Sequence, residues 1–150
     1  MSKKMFELYD KHLSADINPN LWSDFAVDYA SPILLNFTDS DWNKLEIAIK
    51  QKPQDWCIRC ADAISNIHIA TVPSAALETR LLQILLMLLN TDDKEVTMSA
   101  FDAINSLAFC GMDISKFENP IRLALKQMKL IITQFDNLTL DQLENRLDRH

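Results

Sequence analysis

Glycine is almost missing from this chain: Gly111 stands alone among 150 residues. Hairpins, bulges and phosphate-cradling loops need glycine for positive φ or close backbone approach. Its scarcity argues against β-rich and nucleotide-binding folds and for a mostly helical chain. Long apolar runs are missing as well. The most apolar stretch, residues 81–89 (LLQILLMLL), falls far short of the roughly 20 residues that span a bilayer, and it reads as a buried helix. The start, MSKKMFELYDKHLS, has two lysines but no apolar core or small-residue cleavage site, so it does not read as a signal peptide. Cysteine is sparse and odd in number (Cys57, Cys60 and Cys110), which suggests reduced thiols and a cytoplasmic address. Positive charge is also short, with 15 Lys+Arg against 21 Asp+Glu and a net charge of −6. A field of that sign repels nucleic acid and anionic membrane and attracts a basic protein, while also serving solubility.

What the chain does have is a repeat. Residues 55–67, DWCIRCADAISNI, return forty positions later as residues 95–107, EVTMSAFDAINSL. Trp56 maps to Val96 and Cys60 to Ala100. Asp62, Ala63 and Ile64 recur unchanged as Asp102, Ala103 and Ile104, and Ile67 is matched by Leu107. The preceding helix recurs in phase: Trp42, Leu45 and Ile49 are answered by Leu82, Leu85 and Leu89. A weaker third copy places Leu140, Leu143 and Leu147 forty residues after Ala100, Ala103 and Leu107. A period of this length in helical segments is the signature of stacked helix pairs.

Local signals divide the chain accordingly. Met5, Leu8, Tyr9 and Leu13 give residues 3–14 one apolar face. Asn18-Pro19 reads as N-cap and first turn of a helix through Trp22, Phe25, Ala26 and Tyr29, which Ser31-Pro32 ends or kinks. A cluster of cap formers at residues 38–41 starts the next helix, Pro53 opens a helix over 54–68, and Pro73-Ser74 opens another. Asp92-x-x-Glu95 predicts a capping box for a helix over 93–109, ended by Gly111. Asn119-Pro120 starts a helix through Leu123, Leu125, Met128 and Ile132, and Thr139-x-x-Gln142 predicts a last capping box. A chain of this length forms one domain that buries about two-thirds of its unfolded surface. The expected units are a degenerate N-terminal cap pair over 1–37 and helix pairs over 38–70, 73–111 and 113–150.

The segments WCIRCADAISNI and VTMSAFDAINSL are similar to the second helix of HEAT-like repeats, which run roughly valine-x-x-x-alanine-alanine-x-alanine-leucine-x-x-isoleucine. The resemblance covers about residues 40–148. It implies an all-α fold, a short right-handed α-solenoid of antiparallel helix pairs. Trp56 departs from the usual valine.

No motif nominates a catalytic site. Cys57-x-x-Cys60 could lower a thiol pKa or supply half a zinc site. His68, however, sits eleven residues past Cys57 on the same predicted helix, and Cys60 falls on the apolar face, so packing explains the pair better. His12, His68 and His150 lack a nucleophile at motif spacing, and no Walker loop, G-x-S-x-G or H-E-x-x-H occurs. No metal, cofactor or enzymatic activity is expected.

The outward face of the repeated helix is more informative. At about 100° per residue, Asp55, Ile58, Asp62 and Ser65 lie opposite the apolar face, and Glu95, Met98, Asp102 and Asn105 repeat their chemistry. Stacked helices then present a ladder of acid, exposed apolar residue, aspartate and small polar residue, flanked by Arg59 and Asn66. Such a stripe suits a protein partner. The competing account is that Asp62 and Asp102 hydrogen-bond across neighbouring repeats. A small, acidic helical protein of this type resembles the immunity proteins of bacterial toxin–immunity systems, including contact-dependent growth inhibition and other polymorphic toxin loci. The resemblance implies a non-enzymatic binder that covers the active surface of a basic cognate toxin, often a nuclease. A generic scaffold, adaptor or assembly chaperone is the alternative. More remote is a HEAT-like nucleic-acid enzyme similar in fold to the alkylpurine glycosylases, which need a basic groove that this sequence lacks.

Overall fold

A computed structural model describes residues 4–68, 71–131 and 137–149, the side chain of Asn137 excepted. Among these residues the chain is all-helical, without a strand, and no helix is long and apolar enough to cross a membrane. The elements are α1 (Met5–Leu13), α2 (Pro19–Leu21), which runs through a π-helical turn (Trp22–Ala26) into α3 (Val27–Leu34), then α4 (Asp39–Gln51), α5 (Gln54–Ser65), α6 (Ala75–Leu89) and α7 (Lys94–Phe109). A 3₁₀ turn (Ser115–Phe117) leads into α8 (Glu118–Met128), and α9 (Asn137–Asp148) closes the chain. Ile132, expected on the apolar face of α8, and His150 lie outside the described residues.

Side chains start several helices. Asn18 accepts from the Leu21 amide at 2.8 Å with Pro19 in the first turn, and Ser74 accepts from Leu77. Thr38 and Asp41 form a reciprocal capping box on α4. Asp41, although wholly buried, is well satisfied: one carboxylate oxygen takes the Thr38 amide and hydroxyl, and the other takes the Phe6 amide in the first turn of α1. Gly111, at φ 108°, ends α7 in a left-handed turn: Met112 N–H bonds to Leu107 carbonyl and Gly111 N–H to Ala108 carbonyl, so two terminal acceptors are closed.

Two expected capping boxes do not form. Asp93, and not Asp92, caps α7, its carboxylate accepting from the Glu95 and Val96 amides. An aspartate at the residue just before the helix reaches two amides at once, so nothing further is needed from Glu95. Thr139 and Gln142 lie inside α9, which already begins at Asn137, and both bond to α7. Asn119-Pro120 likewise lies within the first turn of α8, one residue after its start. Ser31-Pro32 does not end its helix, because α3 runs on to Leu34 with Pro32 inside it.

The π-helical turn also changes which residues of the second helix face inward. A π turn holds more than four residues, so Trp22 shares a face with Val27 and not with Phe25. Trp22, Val27, Ala30, Ile33 and Leu34 are buried, whereas Phe25 and Tyr29, expected on that face, are 61% and 69% exposed. Leu8 on α1 is also exposed, and Met5 and Phe6 pack against the core in its place.

Elsewhere the period is visible in the core. Trp42, Leu45 and Ile49 of α4 are buried like Leu82, Leu85 and Leu89 of α6. Trp56, Cys60, Ala63, Ile64 and Ile67 are buried like Val96, Ala100, Ala103, Ile104 and Leu107, with Leu140, Leu143 and Leu147 buried on α9. Each such aliphatic side chain contributes about 1.5–3 kcal/mol on removal from water. The tryptophan at position 56 has its own reason: its indole Nε1 donates to Asp10 of α1 at 2.9 Å, and its ring meets Tyr9 edge-on. Contacts run in two sequences. α1, α4, α6 and α8 touch in that order, as do α3, α5, α7 and α9, and α1 packs on α3, α6 on α7 and α8 on α9.

Candidate protein-binding site

The structure brings the ten residues of the expected ladder onto α5, its C-terminal cap and α7, with α3 and α9 on either side. Asp55 and Glu95, near the starts of the two helices, are exposed. Ile58 and Met98 are not free apolar rungs. Both are half-buried and pack against the core. Cys57 and Ala61 on α5, and Thr97 and Phe101 on α7, are buried too, so the inward face is wider than one stripe. Helices with neighbours on several sides bury more than a single narrow seam.

Most of the polar residues link one helix to the next. Asp62, half-buried, accepts from Trp22 Nε1 at 3.0 Å, and Asn66, which ends α5, donates from Nδ2 to Asp28. On α7, Asp102 is exposed and accepts from the Thr139 hydroxyl at 2.8 Å. Asn105 donates to Gln142 and accepts from Arg146 Nε, whose guanidinium lies over the Phe109 ring. Ser65 is half-buried at the edge of a cleft described below.

Arg59 is the most heavily engaged of the ten. Its guanidinium donates to the carbonyls of Leu13, Ala15 and Ile17 at 3.1, 2.8 and 2.9 Å and stacks over Trp22 at 5.3 Å from the ring centre. It therefore gathers the end of α1 and the connection to α2, where several carbonyls point outward without a helical partner. Sequence reasoning placed it beside a binding stripe, because carbonyl acceptors carry no side-chain signature.

Four residues that complete these links, Trp22, Asp28, Thr139 and Gln142, were not singled out for it. A signal existed for one of them: Trp22 precedes its partner Asp62 by forty positions, whereas Asp28–Asn66, Asp102–Thr139 and Asn105–Gln142 are spaced 38, 37 and 37.

Asp62 and Asp102 differ electrostatically. Burial pushes the Asp62 carboxyl above its ordinary value, and the nearby Asp102 charge adds to this, outweighing the Trp22 hydrogen bond and the Arg59 charge that oppose it. Trp22, Ser23, Val27, Asp62, Ser65 and Asn66 line a cleft of about 250 Å³. A larger one, about 540 Å³, opens between the loops that join α4 to α5 and α6 to α7, where Gln54 bridges to Asp93. It is walled by helix ends, including Gln54 and Val96 beside the ladder residues Asp55 and Glu95.

The cysteine pair proves to be two different things. The Cys57 sulfur sits 3.7 Å from the Ile49 carbonyl and 3.9 Å from that of Lys52. Forty residues on, the Thr97 hydroxyl makes the equivalent bond to the Leu89 carbonyl and a second to that of Thr91. Cys57 is thus the weak-donor counterpart of a threonine that ties a helix end to the next helix. Cys60 is wholly buried beside the Tyr9 hydroxyl, and burial pushes its thiol up to about 12. Burial, with the Asp93 charge, raises the Cys57 thiol as well, which opposes the thiolate that metal or redox chemistry requires. Among the described residues no three His, Cys, Asp or Glu side chains converge on a cation position.

Comparison with protein-family models, with characterised proteins and with solved structures gives no match. What the chain does must be argued from its surface.

Proposed function

We propose that this chain is a protein-binding module without chemistry of its own, which uses the acidic side of α5 and α7 to hold a basic protein. The observation that carries this reading is an imbalance of charge. Asp55, Glu95 and Asp102 are exposed and Asp62 half-exposed, while Arg59 and Arg146 are half-buried and already engaged, Arg59 with backbone carbonyls and Arg146 with Asn105 and the exposed Phe109 ring. Acid left uncompensated on one side favours encounter with a positive surface and fixes its register. The order of helix contacts supports a short HEAT-like solenoid as the frame, right-handed as the resemblance implies, since each helix of one sequence packs chiefly on the next along.

The resemblance to immunity proteins gives the partner: a cognate toxin domain, plausibly basic because its own target is nucleic acid, met in the cytoplasm and covered over its active surface. The gene should then lie directly downstream of a large secreted toxin's C-terminal domain, and co-expression should restore growth to cells making that domain. An isolated gene, or growth arrest that persists despite soluble co-expression, sinks the toxin partner. Charge reversal at Asp62 and Asp102 to lysine should weaken the complex by about tenfold or more with helicity intact; unchanged affinity assigns those residues to the fold alone.

A further inference from the structure

We infer that the cleft over Asp62 receives the guanidinium of an arginine side chain from the partner, an inference that rests on the reading of this side as a protein-binding face. The cleft is about 250 Å³, the volume of about eight water molecules, which is room for a guanidinium and part of its aliphatic stem. Its acceptor is already aimed. Trp22 Nε1 holds Asp62 Oδ2 at 3.0 Å, and Oδ1 takes no hydrogen bond among the described residues. The carboxylate is thereby fixed with one oxygen open.

The surroundings supply further acceptors. Ser23, Ser65 and Asn66 line the cleft, and Asn66 Nδ2 donates to Asp28 at 3.0 Å. Asp102 lies close enough on α7 to act on Asp62 through its charge. Arg59, whose charge acts on Asp62, already donates to three carbonyls and stacks on Trp22. A half-buried carboxylate beside a second carboxylate gains from an entering cation more than an exposed one does, because water screens it less. The planar fork of arginine matches a carboxylate oxygen flanked by hydroxyl and amide oxygens, which the point charge of lysine does not.

The Trp22 indole gives a direct reporter, because its Nε1–H is bonded to the carboxylate in question. Titration of the ¹⁵N-labelled protein with acetyl-Gly-Arg-Gly-amide should move the Trp22 indole resonance along a saturating curve and leave those of Trp42 and Trp56 in place. The same peptide with citrulline for arginine, equal in shape but uncharged, should leave it unmoved. Asp62→Asn keeps an acceptor for the indole and should weaken arginine-peptide binding by about tenfold. A response to the citrulline peptide equal to that of the arginine peptide, or a wild-type titration without saturation, overturns the inference. A lysine peptide that binds as tightly overturns the guanidinium assignment. Because no toxin takes part, the outcome is separable from the proposal above: failed growth rescue with a positive titration removes the toxin and leaves the cleft, and the reverse result removes the cleft.

Discussion

In α5 the repeated aspartate, Asp62, is half-buried against Trp22 of the helix before it, whereas the same position in α7, Asp102, is exposed and bonded to Thr139 of the helix after it. The buried faces of the two helices are nearly interchangeable. Ala63, Ile64 and Ile67 answer Ala103, Ile104 and Leu107, and Cys57 answers Thr97 in reaching the matched carbonyls of Ile49 and Leu89. Around that common core the outer positions diverge. Arg59 pins three carbonyls where α7 has Ser99, and Asn66 meets Asp28 where α7 has Ser106. What repeats builds the fold, and what differs between copies is where specificity can reside. A carboxylate held above its ordinary pKa by burial belongs to the second category, since the fold would be served as well by an amide.

The strongest way to break this comparison lies in the core. Ile64→Ala and Ile104→Ala, at wholly buried matched positions, should each cost about 2–5 kcal/mol in urea unfolding. Losses differing by more than about 2 kcal/mol would show that the two copies do not share one kind of packing. Arg59→Ala should cost about 1–3 kcal/mol through the loss of its bonds to three carbonyls, of which only Ala15 keeps a backbone donor among the described residues, while Ser99→Ala at the matched position stays within about 0.5 kcal/mol. Equal effects would remove Arg59 as the tie between α1 and α2.

The smallest effect concerns sign. Because the folded Asp62 carboxyl lies above its ordinary value, its ionisation weighs against folding, and that penalty is fully present above the raised value. It fades as pH falls through that value towards the ordinary carboxyl value. Asp62→Asn should therefore leave stability at neutral pH equal to wild type or slightly higher, with the difference vanishing in mild acid. Asp102→Asn should change it by no more than about 0.5 kcal/mol. Melting curves of both variants across this pH range check the direction, and a marked loss in Asp62→Asn at neutral pH would make that carboxylate structural.

The period of forty made the buried positions of α4 to α7 and of α9 readable, because burial of an apolar face has only one solution on a helix. Asn18, Thr38 and Ser74 were readable as helix starts for the same local reason. Thr139 and Gln142 misled because a threonine followed three residues later by glutamine serves a helix start or a neighbouring helix equally well. The π turn had no signal at all. Nothing in WSDFA announces the extra residue that sends Phe25 and Tyr29 outward and brings Trp22 to Asp62. Arg59 was legible as a charge and illegible as a brace, since its acceptors belong to the backbone.

Asp41 has a consequence for how the molecule opens. One buried carboxylate closes the first turn of α4 and holds the Phe6 amide at the head of α1, thirty-five residues away in sequence. Fraying of α1 at Phe6 would leave one oxygen of that buried carboxylate without its donor. Terminal helices ordinarily unravel first, residue by residue. Here the first turns of α1 and α4 share one carboxylate, so opening either one loosens the hold on the other.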